Sequence, residues 1–311
     1  MERNRVHSIE LMPKSSVVRR DGDGIEMTFA ADPGAPVFAG HYPGFPLLPG
    51  VFALDAVHHA VLRHAETTGG DSPELASIRS VRFLSPVLPG DTLSVEAAVT
   101  RTDGGRDVRA VCRTGRGKSA TLRLRYRDAG PRDLSAAPDG APSGADSAPG
   151  VSHGVAALKQ LIPHRFPALL VDRVLAVEPG RSVVTRKAVT CNEPWYRDLP
   201  DDTAESGYRY PAALLIESWC QSAALLAAWD RSPEELAGQV ALFGGMSGIE
   251  VLGEVLPGDV LRHEVRISRE LAGTWIFEGA TGTADGRPVL AVGSVMTALR
   301  PSAVLGAPVP T

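Results

Sequence analysis

An imidazole and a carboxyl fourteen residues apart are the first residues in this chain whose types suit proton transfer. The stretch HYPGFPLLPGVFALD sets His41 at the mouth of a loop and Asp55 inside the apolar run that follows. A neutral imidazole can act as a base near pH 7. A carboxylate inside an apolar segment must be paired, hydrogen-bonded or neutralised, because an isolated buried charge costs several kcal/mol or more. Asp55 is therefore either a functional acid or a polar residue facing a cavity. Pro43, Gly44, Pro46, Pro49 and Gly50 keep the chain out of a helix until Gly50, since proline fixes φ and lacks a donor while glycine opens turns. His41 thus sits on a stiff loop.

Two apolar helices must position these groups. PGVFALDAVHHAVLRHAE begins with Pro at a favoured first-turn position and covers most helix faces with Val51, Leu54, Ala56, Val57, Ala60 and Val61. PAALLIESWCQSAALLAAW, residues 211–229, is nearly long enough to span a bilayer, but Glu217, Ser218, Gln221 and Ser222 are expensive in hydrocarbon. It reads as a buried core helix. Gln221 lies one turn after Glu217 on the same face, as His59 does after Asp55.

The remaining segments alternate as strands. IEMTFAA lies before the histidine loop, and ASIRSVRFLSPVLPGDTLSVEAAVTR, VRAVCRT and SATLRLRYR follow the first helix, with LPGD and DGG as turns. One long helix followed by several strands, without βαβ alternation, argues for α+β. Residues 131–152 hold four prolines and three glycines with few large apolar side chains, and read as a flexible linker spanning roughly 25 Å. Beyond it the pattern repeats. Leu88-Pro89-Gly90-Asp91 recurs as Leu256-Pro257-Gly258-Asp259, 168 residues later, while Pro49 and Asp55 recur as Pro211 and Glu217 at an offset of 162. Two copies of one unit tend to pair about a pseudo-twofold axis.

Composition sets limits. The chain has 311 residues, 43% of them hydrophobic, enough for two domains with a substantial core. A net charge of −4 gives no global reason to expect nucleic acid or an anionic membrane as partner. Cys112, Cys191 and Cys220 lack metal-ligand spacing and read as reduced thiols of a cytoplasmic protein, and MERNRVHSIE does not resemble a signal peptide.

HYPGFPLLPG followed by an apolar helix with an acid resembles the active-site segment of the hotdog-fold 3-hydroxyacyl-ACP dehydratases of the FabA/FabZ type. LIPHRFPALLVDRVLAVEPG, residues 161–180, looks like the amino-terminal segment of the FabZ-type members, and SPVLPGDTL and GEVLPGDVL also fit. The resemblance implies a double hotdog, two long helices each wrapped by an antiparallel sheet. Residues 1–130 are the histidine-bearing unit, 131–152 the linker, 153–301 the glutamate-bearing unit and 302–311 a tail. It also implies that each site takes a histidine from one hotdog and an acid from the other. Counting 14 back from Glu217 reaches Thr203, so the second copy has lost its histidine. One complete site is then expected, His41 with Glu217, supported by Gln221 and the amide of Gly50 or its counterpart Ala212. Asp55, His59 and Thr203 make a degenerate second site, filled by Tyr208, Arg209 and Tyr210. A modular polyketide-synthase dehydratase domain resembles this arrangement.

Eliminating water from a 3-hydroxyacyl thioester requires a base for the proton on carbon 2, a proton for the departing hydroxyl, and stabilisation of charge on the thioester oxygen. His41 suits the first role. Glu217, buried in an apolar helix, is expected to have a raised pKa and to donate or position the second proton. His58, His64 and His164 read as surface or structural residues, and Trp219, Cys220 and Trp229 as core or tunnel lining. The implied substrate is held on the phosphopantetheine of an acyl carrier protein, without a metal or other cofactor. Nine basic residues between Arg101 and Arg127 against Asp103 and Asp107 leave +7, a docking surface for that acidic carrier or the solvated face of a strand. A hotdog thioesterase and a non-catalytic acyl-binding scaffold are the competing readings, and the duplication fits a pseudo-dimeric monomer or a homodimer.

Overall fold

Strand alternation and one repeated turn build most of the molecule. The computed structural model describes residues 11–12, 15–21, 24–68, 72–128, 152–236, 238–271 and 273–301. The expected linker, apart from Ser152, and the expected tail lie outside the described residues. In chain order the first half contains β1 (Ser15–Asp21), β2 (Gly24–Ala30), α1 (Val37–Gly40), α2 (Val51–Thr68), β3 (Pro73–Phe83), β4 (Thr92–Thr102), β5 (Gly105–Thr114) and β6 (Gly117–Asp128). The second half contains β7 (His153–Gly154), α3 (Val155–Leu161), β8 (Arg173–Glu178), β9 (Ser182–Ala188), α4 (Ala212–Ala228), α5 (Pro233–Leu236), β10 (Gln239–Val251), β11 (Val260–Leu271), β12 (Thr274–Thr283) and β13 (Pro288–Pro301).

Among the described residues these strands form one 13-stranded sheet in the order β1-β2-β4-β5-β6-β3-β10-β13-β12-β11-β9-β8-β7. The order reverses about the β3–β10 seam, where Val81 opposes Met246 and Ile78 opposes Ile249 in antiparallel register. The two halves therefore share one sheet as mirrored copies. Period-two burial faces the sheet inward: Leu93, Val95, Ala97 and Val99 of β4 alternate with exposed neighbours. Helices α2 and α4 pack against each other under this sheet. The result is the double hotdog.

The apolar 18-residue window within Glu205–Ala228 is 89% buried. Its length reflects a core position between two sheet halves, as its interior polar residues require.

The LPGD turns carry the clearest local symmetry. Asp91 Oδ2 accepts from Leu88 N at 2.7 Å and from Arg116 Nη2 at 2.6 Å, while Arg116 Nη2 also donates to Pro86 O at 2.9 Å. In the second copy Asp259 Oδ2 accepts from Leu256 N at 2.9 Å and Arg287 Nη2 at 3.0 Å, and Arg287 Nη1 donates to Glu254 O. Gly90 and Gly258 take φ of 85° and 106°, which side chains resist. The turn holds Val87 so that its carbonyl accepts from Leu48 N at 2.8 Å, as Val255 O does from Tyr210 N at 2.7 Å. An arginine on one hairpin thus fixes the loop that leads into the central helix.

Asp91→Ala removes a charge-assisted pair and a turn bond together, with an expected loss of about 1–3 kcal/mol in urea unfolding. An unchanged midpoint would show that the turn forms without its latch.

Candidate active site

His41 is placed by two close approaches. Its amide donates to Val37 O at 2.8 Å and closes α1, and its Nδ1 lies 2.8 Å from Leu47 O across the proline loop. That carbonyl can only accept, so the Nδ1–H donates and Nε2 carries the lone pair. Gly40 lies directly under the second half: a Cβ there would meet Arg165 O at 2.5 Å and Ala168 N at 2.7 Å, while Gly40 O accepts from Arg165 N at 2.8 Å. Tyr42, with φ of 53°, swings its hydroxyl into the other half and donates to Ala241 O at 2.7 Å. The loop is stapled across the pseudo-twofold on either side of His41.

Glu217 comes from the middle of α4, the helix of the second half. Its Oε1 accepts from Gln221 Nε2 at 3.1 Å, and Gln221 also donates to Ala168 O at 2.7 Å and accepts from Leu170 N at 2.9 Å. Gln221 therefore ties the carboxylate to the 162–170 loop. That loop delivers a third ionisable group, His164, whose Nε2 lies 3.6 Å from Glu217 Oε1 and whose ring centroid is 5.2 Å from that of His41. One nitrogen or oxygen from each of His41, His164 and Glu217 falls within 4.8 Å of the others.

The three residues line a cavity of about 270 Å³ with Gly50, Phe83, Leu84, Cys220 and Phe243. Gly50 stands at the start of α2, where first-turn amides have no intrahelical acceptor. A side chain there would meet the Phe83 ring at 2.8 Å. Ala212, its counterpart, lines the other cavity instead. Cys220 keeps its thiol protonated, because burial and then the charge of Glu217 push it up. It is lining, as expected, and Trp219 is buried with its Nε1 on Glu264 O at 3.2 Å.

Electrostatics correct one expectation. Burial, then His164, lowers the pKa of His41 to about 4 against the opposing pull of Glu217 and the Leu47 carbonyl. His41 is neutral at pH 7. For Glu217 burial is the largest single influence and acts upward, but His164, His41 and the Gln221 amide together outweigh it, so the pKa falls below the ordinary glutamate value. The raised pKa expected from the apolar helix is overturned by polar neighbours from the opposite half and the 162–170 loop. Glu217 rests as a carboxylate.

His164 was missed as a site residue: it is 2% exposed and faces the cavity rather than solvent. The available signal was its place between Pro163 and Arg165 in a loop as stiff as the one bearing His41. His64 is buried in α2, and His58 stacks on Tyr126 with ring centroids 5.7 Å apart.

The second cavity, about 180 Å³, contains Asp55, His58, His59, Glu74, Arg209 and Tyr210. His59 Nε2 lies 3.5 Å from Asp55 Oδ2, which also accepts from Leu11 N at 3.2 Å. Thr203 does not belong there. Its hydroxyl donates to Pro200 O at 2.6 Å, because the 200–203 turn folds back on itself. Arg209 and Tyr210 line the cavity as expected, with Arg209 Nε on Glu254 Oε2 at 3.0 Å; Tyr208 instead packs on Tyr196 at 6.0 Å.

Comparison with known proteins follows the duplication. Residues 17–120 match a family described as ApeI dehydratase, and residues 162–292 match the FabA-like domain. The 3-hydroxyacyl-[acyl-carrier-protein] dehydratase FabZ of Janthinobacterium sp. (strain Marseille) is 39% identical over 134 residues, 43% of this chain and 82% of that protein. The FabZ of Albidiferax ferrireducens is 44% identical over 125 residues, 39% of this chain and 77% of that protein. The dehydratase domain from the CurJ module of curacin polyketide synthase superposes with a TM-score of 0.64 at 13% identity, covering 96% of this chain and all of that one, 100%. The dehydratase domain of RzxB from Pseudomonas fluorescens gives 0.61 at 15% identity, covering 93% and 99%.

Gln221→Leu keeps the volume but frees Glu217 and the 162–170 loop. The expected outcome is a fall in turnover of about 10- to 100-fold with KM little changed, measured on a 3-hydroxyacyl thioester.

Proposed function

We propose that this chain, which belongs to the FabA/FabZ family of hotdog dehydratases, eliminates water from 3-hydroxyacyl thioesters to give 2-enoyl thioesters at one composite site. The observation that carries the reading is the convergence of His41 from one half and Glu217 from the other on a single cavity. His41 Nε2 takes the proton from carbon 2, and the electron pair forms the double bond as the bond from carbon 3 to oxygen breaks. The carboxylate of Glu217 accepts a hydrogen bond from the hydroxyl and stabilises the imidazolium. Because Glu217 rests ionised, the proton collected by His41 is the one returned to the departing oxygen. Water leaves and both groups regain their starting states. The amide of Gly50 is the donor proposed for the thioester oxygen, and Gln221 positions Glu217.

The substrate is proposed to arrive on the phosphopantetheine arm of an acyl carrier protein, in fatty acid or polyketide assembly, within the reducing cytoplasm that free Cys112, Cys191 and Cys220 suit. Residues 1–130 and 153–301 serve as the two hotdogs. The basic run is smaller than its formal charge: Arg106, Arg113, Arg116 and Arg127 pair with Asp128, Glu96, Asp91 and Glu74 at 2.8, 3.2, 2.6 and 2.9 Å. Arg101, Arg109, Lys118, Arg123 and Arg125 are exposed. Lys118 adjoins the cavity wall, where Ser85 Oγ donates to Lys118 O at 3.1 Å and Ser85 and Ser119 are both lining. That supports carrier docking beside the cavity.

His41→Ala and Glu217→Gln are each expected to lower dehydration by about 10³-fold or more, while Asp55→Asn leaves most of it. Equal damage from all three would sink the one-site reading. Turnover should fall as pH drops through about 4, where His41 gains a proton and ceases to be a base. An acid limb near the unperturbed histidine value, about 6.5, would contradict the buried neutral imidazole.

Lys118→Glu combined with Arg123→Glu should raise KM for a carrier-bound substrate by about tenfold and leave a small-molecule thioester unaffected. The same change with both substrates would remove the docking assignment.

A further inference from the structure

The proposed active cavity holds more donors than water elimination needs. His41, His164 and Glu217 reach it from three separate segments, are 6%, 2% and 9% exposed, and bring one ligand atom each within 4.8 Å of the others. We infer that these three side chains form a binding site for a late first-row divalent cation, zinc foremost, and that filling it switches dehydration off. The inhibitory consequence rests on the dehydratase reading; the binding itself does not.

The surroundings of each donor suit ligation. The Nδ1–H of His41 is committed to Leu47 O at 2.8 Å, leaving Nε2 free, which is the outer hydrogen bond that metal-bound histidines require. Glu217 Oε1 is steadied by Gln221 Nε2 at 3.1 Å. His164 is the incompletely bonded member: its Nδ1 is buried with no hydrogen-bond partner among the described residues, and its Nε2 is 3.6 Å from Glu217 Oε1. Tetrahedral zinc, with bonds of about 2.0–2.1 Å, sets its donors about 3.3 Å apart, so the His164–Glu217 separation needs an adjustment of only about 0.3 Å. The 4.8 Å limit on the remaining pairs closes with a side-chain swing of roughly 1.5 Å.

Charge points the same way. Glu217 brings a carboxylate to the two imidazoles, and among the described residues no lysine or arginine lines the cavity. Nitrogen and oxygen donors of this mix favour zinc, copper, nickel or cobalt over magnesium or calcium. Three protein ligands leave the fourth position open to the cavity. A bound cation takes the lone pair of His41 and the charge of Glu217, the same two groups that the elimination uses, so it acts as an inhibitor and not as a cofactor.

The test uses the full chain, freed of metal by chelator and carrying Cys191→Ser to remove its exposed thiol. Calorimetric titration with Zn²⁺ should give one equivalent bound at micromolar Kd or tighter, and Co²⁺ should give the visible absorption of a tetrahedral site. Dehydration should fall in step with occupancy and return with EDTA. His164→Asn and His164→Gln, each verified as folded by its urea midpoint, should weaken Zn²⁺ binding at least tenfold, and Glu217→Gln should do the same. Unchanged affinity in the folded variants, or an octahedral Co²⁺ spectrum, would overturn the site. Binding that depends on these residues in a chain with no dehydratase activity would uphold the site and remove the functional reading instead.

Discussion

The cavity depends on a buried imidazole and a buried carboxylate that neither half of the chain could hold unaided. Desolvation lowers His41 to about 4, and acts upward on Glu217, so each group alone is pushed toward neutrality. Together, with His164 and Gln221 beside them, the carboxylate stays charged while the histidine stays neutral. That balance requires atoms from both halves within a few ångströms. The seam that brings them together is a continuous sheet: β3 pairs with β10 along Arg82 to Ser77, which joins the two halves beside the cavity. The Tyr42–Ala241 and Gly40–Arg165 contacts extend the same seam to the catalytic loop.

Duplication made asymmetry affordable. In a symmetric pair every site would carry the same histidine and acid, whereas here the two cavities have separated. On the His41 side, the group one turn beyond the acid is Gln221, an amide that can donate to the carboxylate and still bond Ala168 and Leu170. On the other side it is His59, which lies 3.5 Å from Asp55, on the same helix. Arg209, bridging toward Glu74 and Glu254, further occupies the second cavity with charge. The loop of the second copy forms the 200–203 turn, in which the Thr203 hydroxyl is spent on Pro200 O.

The sequence exposed what depends on local pattern. Strand periodicity, the LPGD pairs and the matching helices place both halves, because alternation and turn chemistry act over a few residues. The positions of His41, Glu217, Gln221 and Gly50 followed from those elements. The protonation of Glu217 did not, since its decisive neighbours, His164 and His41, lie 53 and 176 residues away in sequence. His164 escaped for a similar reason: a lone histidine in a loop carries no periodicity, and only Gly40, small enough to admit Arg165 and Ala168, brings its loop against the histidine of the first half. The formal charge of the Arg101–Arg127 run likewise hid four arginines with acidic partners, three across neighbouring strands and Arg116 on the turn residue Asp91.

An ionised Glu217 also changes how protons must be counted. A two-group scheme with a protonated acid ends with the proton on the base, which must pass one back to the acid before the next turnover. When the carboxylate starts charged, the proposed cycle returns to the departing hydroxyl the proton that His41 removed from carbon 2. Both must then lie on the face of the substrate that His41 addresses, since the imidazole has one free nitrogen and its other nitrogen is fixed on Leu47. On that proposal, the hydrogen bond to Leu47 O that orients the base favours removal and delivery on one side. Leu47, Val51, Phe83 and Phe243 make the apolar part of the cavity wall, and His164 is the third ionisable group that lines it. Burial is also what keeps His41 neutral, its nitrogen lone pair open for a proton.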